Sequence, residues 1–251
     1  MQEWTERWNL YFNVAKCKVM HIGKNNPKTC YYMKIEEEKQ KIETCAEEKD
    51  LGITFDANLN FDQHISNISK KANQMLGVIK RTFTFMSKNI FTKLYKALVR
   101  SHLEYGNVVW SPYLKRQSVQ LERVQRRATK LVPECKDMNY DQRLRYLKIY
   151  SLKGRRLRGD LIQTYKIFQN LDAVDKNMLP LSNYEGSRNQ GNKLRRRFSR
   201  PNIRKYTFSN RIVENWNSLP NEVKNSPTLN TFKNRMDKVP KLMAKFYEHD
   251  E

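Results

Sequence analysis

From Asp62 onward, Ile65, Ile68, Ala72, Met75, Ile79 and Phe83 recur at spacings of three and four residues, the signature of a helix with one apolar face. Such a stripe must be buried against other elements, so this part of the chain is committed to helix packing. Further runs continue the pattern: Phe91, Leu94 and Leu98 after Ser87, then Leu121, Val124, Ala128 and Leu131, then Leu157, Leu161, Tyr165 and Phe168 behind Ser151, a residue suited to cap a helix. Before Asp62 the pattern differs. The start around Trp4 and Trp8 is a short amphipathic piece, and KVMHI, CYYMKI and LGITF are β-rich runs; the acidic stretch EEEKQKIETCAEEKD, residues 36–50, reads as a solvated hairpin or loop between two of them.

Around residues 172–205 the periodicity weakens, with Pro180, Gly186, Gly191 and the run KLRRRFSRPNIRK, and no acid falls between Arg188 and Lys205. This is a linker or basic arm. Two closing helices are expected, one carrying Phe208, Ile212, Val213 and Trp216 and stopped by Pro220, the other carrying Leu229, Phe232 and Met236. The fold class is therefore α+β and mostly α-helical: a small β-rich segment at 1–58, a helical bundle at 59–171, the basic arm at 172–205 and a basic helical segment at 206–251.

Lys and Arg outnumber Asp and Glu by 48 to 26, leaving a formal net charge of +22 on 251 residues. A charge of that size opposes compaction, so its natural counterpart is a polyanion, either RNA, DNA or an RNA–DNA hybrid. A membrane is disfavoured, because no apolar run reaches the roughly 18 residues of a span. MQEWTERWNLYF opens with acids and tryptophans, unlike a secretion signal. A nuclear or cytoplasmic home is expected, not a secreted one.

Metal and nucleophile chemistry is weak. Cys17, Cys30, Cys45 and Cys135 form no C-x-x-C pair and are expected to be reduced, mostly buried thiols. His21 follows Cys17 by four residues, but on a strand that spacing is about 13 Å, too far to share a zinc. His64, His102 and His249 are isolated, and no glycine-rich phosphate loop is present. No self-sufficient active site, cofactor or metal site is expected. The basic residues carry more. Arg123, Arg126, Arg127 and Lys130 occupy the faces left free by Leu121, Val124, Ala128 and Leu131. Lys80, Arg81, Arg155, Arg156 and Arg158, and then Arg195, Arg196 and Arg197, add to them. Charges on helices are ordinarily solvated faces. Here RRATK, GRRLRG and KLRRRFSR have almost no acidic neighbours, which favours phosphate contact, with all these side chains facing outward together.

WNLYFNVAKCKVMHIG resembles the segment just downstream of the catalytic aspartates in jockey-like and related LINE reverse transcriptases, the polymerases of non-LTR retrotransposons. LGITFDANLNFDQHI resembles that family's strand and turn leading into the thumb, LVRSHLEYGNVVWSPY its thumb helix and LERVQRRATKLV the next helix. RLRYLKIYSLKGRRLRGDLIQTYKI and FSNRIVENWNSLPNEV resemble the regions that follow, in the same order. The resemblance implies a palm remnant at 1–58 and a thumb-like domain at 59–171. It places Lys16 at the motif D lysine and Leu51, Gly52 and Ile53 at the primer-grip strand. It also puts the Y/F-x-D-D turn and the other metal-binding aspartates outside this chain, so Mg2+ is implied only for the full-length polymerase and the chain alone is expected to be inactive. Two other functions fit the residues: a freestanding RNA- or single-strand-binding protein, with Tyr31, Tyr32 or Phe198 stacking on bases, and an interaction module whose apolar faces dock to a polymerase supplied in trans.

Overall fold

The computed structural model describes residues 2–10, 12–23, 25–35, 38–181, 193–198 and 202–250. Helix accounts for 56% and strand for 9%, so the chain is α+β and mostly helical. It divides into two compact units, residues 1–64 and 65–251. No helix among the described residues is long and apolar enough to cross a membrane.

The first unit opens with α1 (Gln2–Arg7) and a 3-10 turn, Val14–Lys16. Six short strands follow as three separate pairs. β1 (Lys18–Val19) lies parallel to β4 (Glu43–Thr44), β2 (Tyr32–Ile35) antiparallel to β3 (Glu38–Lys41), and β5 (Glu47–Asp50) antiparallel to β6 (Ile53–Asp56). The acidic stretch expected as a solvated hairpin or loop supplies three exposed strands; cross-strand pairing overrides the poor strand propensity of its Glu and Lys residues. Leu51 and Gly52 are the two-residue turn of the β5–β6 hairpin, both at positive φ (45° and 85°), the geometry of a turn whose twist matches its strands. After β6, Asp56 holds the chain by accepting from the backbone N–H of Asn58, Asn60 and Phe61 at 3.0, 3.2 and 2.7 Å. Every residue of β3 and β5 is exposed, so these pairs have little apolar cover. Amides of β2 to β5 are accordingly expected to exchange with solvent much faster than those in the long helices of the second unit. Equal protection in a monomer would show that the pairs are held by burial these contacts do not provide.

The helices run α2 (Asp62–Thr82), α3 (Lys88–Leu94), α4 (Arg100–Glu104), α5 (Asn107–Trp110), α6 (Lys115–Thr129), α7 (Tyr140–Leu147), α8 (Leu152–Phe168), α9 (Asn202–Lys205), α10 (Phe208–Arg211), α11 (Val213–Asn217), α12 (Asn221–Lys224), α13 (Leu229–Met236) and α14 (Pro240–Tyr247). Ser87, Ser151 and Thr228 each accept from a backbone N–H three residues on, and Asn139 and Gln142 form a reciprocal capping box before α7. Ile65, Ala72 and Ile79 are buried as the period requires. The stripe after Ser87 is rotated from the expected one. Phe91, Tyr95, Val99 and Leu103 are buried while Leu98 is exposed, because residues Tyr95–Val99 form a π turn. Each four-residue step overshoots one turn of about 3.6 residues, and the wider π turn takes that excess back.

Helix α8 is the centre of this unit, with α4, α5, α6, α11, α13 and α14 packed around it. One apolar core joins Leu161, Tyr165 and Ile167 to Trp216, Phe232, Met236 and Phe246. The segment 206–251 is therefore part of the same body as the helices before it. Part of the 172–205 arm is also docked: Leu194 is buried, and its backbone N–H and carbonyl both bond the Asn217 side-chain amide (3.0 and 2.8 Å). Residues 182–192, with Gly186 and Gly191, lie outside the described residues.

Candidate nucleic-acid interface

Between Ile65 and Pro133 the sequence holds fourteen Lys or Arg and two acids, Glu104 and Glu122. Both acids turn inward. Glu104 takes the Arg155 guanidinium through two bonds of 2.7 and 2.8 Å and lies 3.5 Å from Arg100 Nε, whereas Glu122 is 1% exposed. Past Asp62 at the start of α2, the exposed charges on α2 and α6 are all cationic. Arg116, Gln120, Arg123, Arg127 and Lys130 follow one another at steps of four, three, four and three, a single ridge on α6. Arg123, Arg127 and Lys130 are exposed, and Arg127 Nη1 reaches Asn73 Oδ1 of α2 at 2.7 Å, tying the ridge to the helix that carries exposed Lys70, Lys80 and Arg81.

The other expected contacts separate. Arg126 is half-buried, bonded to His249 Nδ1 at 2.9 Å and lying over the Tyr140 ring. Arg155, Arg156 and Arg158 do not face outward with the rest, contrary to the expectation from their isolated sequence run. They sit on the central helix, surrounded by neighbours, so each is turned to an internal partner: Arg155 to Glu104, Arg158 to Asp237 by two 2.8 Å bonds, and Arg156, 5% exposed, to Ser118 Oγ at 2.9 Å. Arg195, Arg196 and Arg197 are exposed beside Phe198, itself 88% exposed. Arg196 pairs with exposed Glu214 at 3.1 Å, a contact worth little in water.

In the first unit, Lys16 is exposed in its 3-10 turn. Leu51 and Gly52, expected on a strand, stand at a hairpin tip with Leu51 83% exposed, and Ile53 alone begins a strand and is buried. Tyr31 and Tyr32 are exposed. All four cysteines are free thiols, but only Cys135 is buried, a correction to the expectation that most would be. Among the described residues no three His, Cys, Asp or Glu are grouped to hold a metal ion. Among the described residues the acids are dispersed or held by basic side chains, so these residues do not fit a two-metal polymerase centre and no chemical step is derived through one.

Sequence reasoning missed a buried polar network. Glu122 accepts from the Tyr140 hydroxyl and from Leu152 N–H at 3.0 Å, while Gln125 accepts from the Tyr95 hydroxyl and donates to Tyr150 O at 3.0 Å. Burial pushes the Glu122 carboxyl above its ordinary pKa, against the pull of Tyr140 and nearby Arg156. It missed too the Asp160–Arg211 pair, two bonds of 2.8 Å, with Arg211 also donating to Val108 O at 2.9 Å. Burial raises the Asp160 carboxyl, which Arg211 opposes. The one visible signal was that Glu122 and Asp160 are lone acids inside basic helical runs.

No family model matches the chain, and no solved structure matches it. An uncharacterized protein of Caenorhabditis elegans is 31% identical to it over 119 residues, covering 46% of this chain. The match spans 60% of that protein's own length.

Proposed function

We propose that this chain grips the sugar–phosphate backbone of a template–primer duplex, as the part of a non-LTR retrotransposon reverse transcriptase downstream of its catalytic aspartates. The observation that carries the reading is the ridge Arg123, Arg127 and Lys130 on a stretch of 69 residues whose two acids are buried Glu122 and Glu104, the latter taken by Arg155. The resemblance of the sequence segments, in order, supplies the polymerase context; Lys16 is the position it would assign to nucleotide approach, and Leu51, Gly52 and Ile53 those to primer holding. Backbone contacts of this kind position a duplex without reading its sequence.

Affinity for an RNA–DNA hybrid should fall steeply with salt, with a log–log slope of roughly −0.7 to −0.9 per phosphate neutralised. Replacing Arg123, Arg127 and Lys130 together by Gln should flatten that slope by about two and weaken all sequences alike, since Leu121, Val124 and Ala128 hold the helix. Fluorescence anisotropy across a salt series measures both. Salt-independent binding, or a loss confined to one sequence, would overturn the reading.

A second reading, a single-strand-binding protein, draws support from Phe198, whose exposed ring beside Arg195, Arg196 and Arg197 has the make-up of a stacking platform. A preference for unpaired RNA over the hybrid, abolished by Phe198→Ala, would favour it.

A further inference from the structure

A cavity of about 610 Å³ opens where the loop Ser111–Leu114, α6, α8 and α14 meet. Eight charged side chains line it, five cationic and three acidic. Asp160 is taken by Arg211 at 2.8 Å, and Lys153 holds both Glu248 (3.2 Å) and Asp250 (2.9 Å). Lys115, Arg156 and Lys245 make no direct ion pair among the described residues, although Glu122, Asp250 and Asp160 act on Arg156 at longer range. The balance of the lining is two positive charges, which matches a phosphate monoester at neutral pH.

Arg156 sets this cavity apart from a chance gathering of surface charge. It is 5% exposed, and although Nη2 donates to Ser118, Nη1 has no hydrogen-bond partner among the described residues. A buried guanidinium presents five donors in a rigid fork, and leaving one open is costly unless an acceptor arrives. An oxyanion between Arg156 and Lys115 would supply that acceptor. The cavity is far larger than one ion, and its wall carries Tyr113 and Tyr206, stacked at 5.3 Å and 13°. That aromatic surface suits a ring attached to the phosphate.

We propose that this cavity is a phosphate site with Arg156 as its buried anchor and Lys115 and Lys245 as its outer cations, taking a phosphate carried on a nucleoside. The phosphate comes either as the monoester of a nucleotide or strand end, or as the diester of a chain. The inference does not rest on the duplex-gripping reading, because the ridge on α6 uses other residues. Asp250 stands beside Arg156 and Lys153; burial disfavours its carboxylate, but bonds from Lys153 and Ser118 outweigh this and hold it ionised below its ordinary pKa. It therefore competes with an incoming phosphate.

The test is calorimetric titration of the full chain with inorganic phosphate, with adenosine monophosphate, and with a short single-stranded oligonucleotide bearing or lacking a 5′-phosphate. The expected result is binding of the nucleoside monophosphate, about tenfold weaker in a Lys115→Gln, Lys245→Gln variant and tighter in Asp250→Asn. Arg156→Gln is expected to abolish binding; should that variant fail to fold, the exposed lysine pair decides alone. A 5′-phosphorylated strand binding better than an unphosphorylated one assigns the site to monoesters, and equal binding that is still lost with the lysines assigns it to diesters. No heat above an ionic-strength control from any of these probes, or affinities unchanged in the lysine variant, overturns the proposal. Hybrid binding lost in the α6 variant but kept in the lysine pair would separate this site from the duplex grip.

Discussion

Gly154→Ala is expected to destabilise the second unit by about 3 kcal/mol or more, a fall of roughly 10 °C in its Tm. A Cβ at this position would lie 2.2 Å from Phe246 O and 2.4 Å from its Cα. These are backbone atoms, so no rotamer change in a neighbour relieves the contact, and α14 must move off α8. That movement also breaks the bond from Ser151 N–H to Phe246 O at 3.0 Å. Gly159→Ala, one and a half turns further along the same helix, is the control. Its Cβ would meet the Asn107 side-chain amide at 3.7 and 3.8 Å, an ordinary contact, and the better helix propensity of alanine should stabilise by up to about 1 kcal/mol. Urea and thermal unfolding followed by circular dichroism read both variants. Similar stabilities for the two would mean that α14 does not dock here.

The second large effect is expected at Arg211. Replacing it by methionine leaves the Asp160 carboxylate buried without its partner and strips Val108 O of a donor, a loss of about 3–5 kcal/mol at neutral pH. Burial raises the Asp160 pKa above its unfolded value even with Arg211 in place, so the folded state takes up the proton more readily. The stability carried by the protonated form is full below the unfolded pKa and is lost as pH rises through the folded one. Without Arg211 that window widens upward. The deficit of the variant should shrink as pH is lowered from about 7 towards the ordinary carboxylate range near 4. Urea unfolding across that range measures it, and a deficit independent of pH would assign the loss to packing instead. The double variant Arg211→Met, Asp160→Leu should recover much of the stability, because it removes both charges together.

Local features were legible in the sequence. Ser151 caps α8 as its type and position suggest, and Trp216 and Phe232 fall in the core on the faces their spacing defines. Two helices left unread had signals in plain view: Asn139 three residues before Gln142 ahead of α7, and Pro240 at the first position of α14. What a linear reading cannot supply is distance in the chain. Arg155, Arg156 and Arg158 look like an unneutralised run because Glu104 lies 51 positions before Arg155 and Asp237 lies 79 after Arg158. The same blindness applies to Arg211 and Asp160, also 51 apart. Arg123, Arg127 and Lys130 on α6 make no ion pair among the described residues and are exposed, so the expectation of outward-facing cations fits them and not α8. At Leu51–Gly52 the misreading was of period, since a strand-like run hid a glycine placed for a turn.

The seat of Phe246 on Gly154 also governs when this protein can finish folding. Helix α8 is made early, but its closing partner is encoded more than ninety residues downstream, and its Arg158 waits for Asp237 almost as long. On a ribosome the central helix must therefore emerge with an open notch, part of its apolar stripe bare and a guanidinium unneutralised. Contacts of such sequence separation form late and slowly. Until they do, the nascent chain is more basic on its surface and stickier than the finished molecule, a state in which polyanions and chaperones compete for it before any native ligand can.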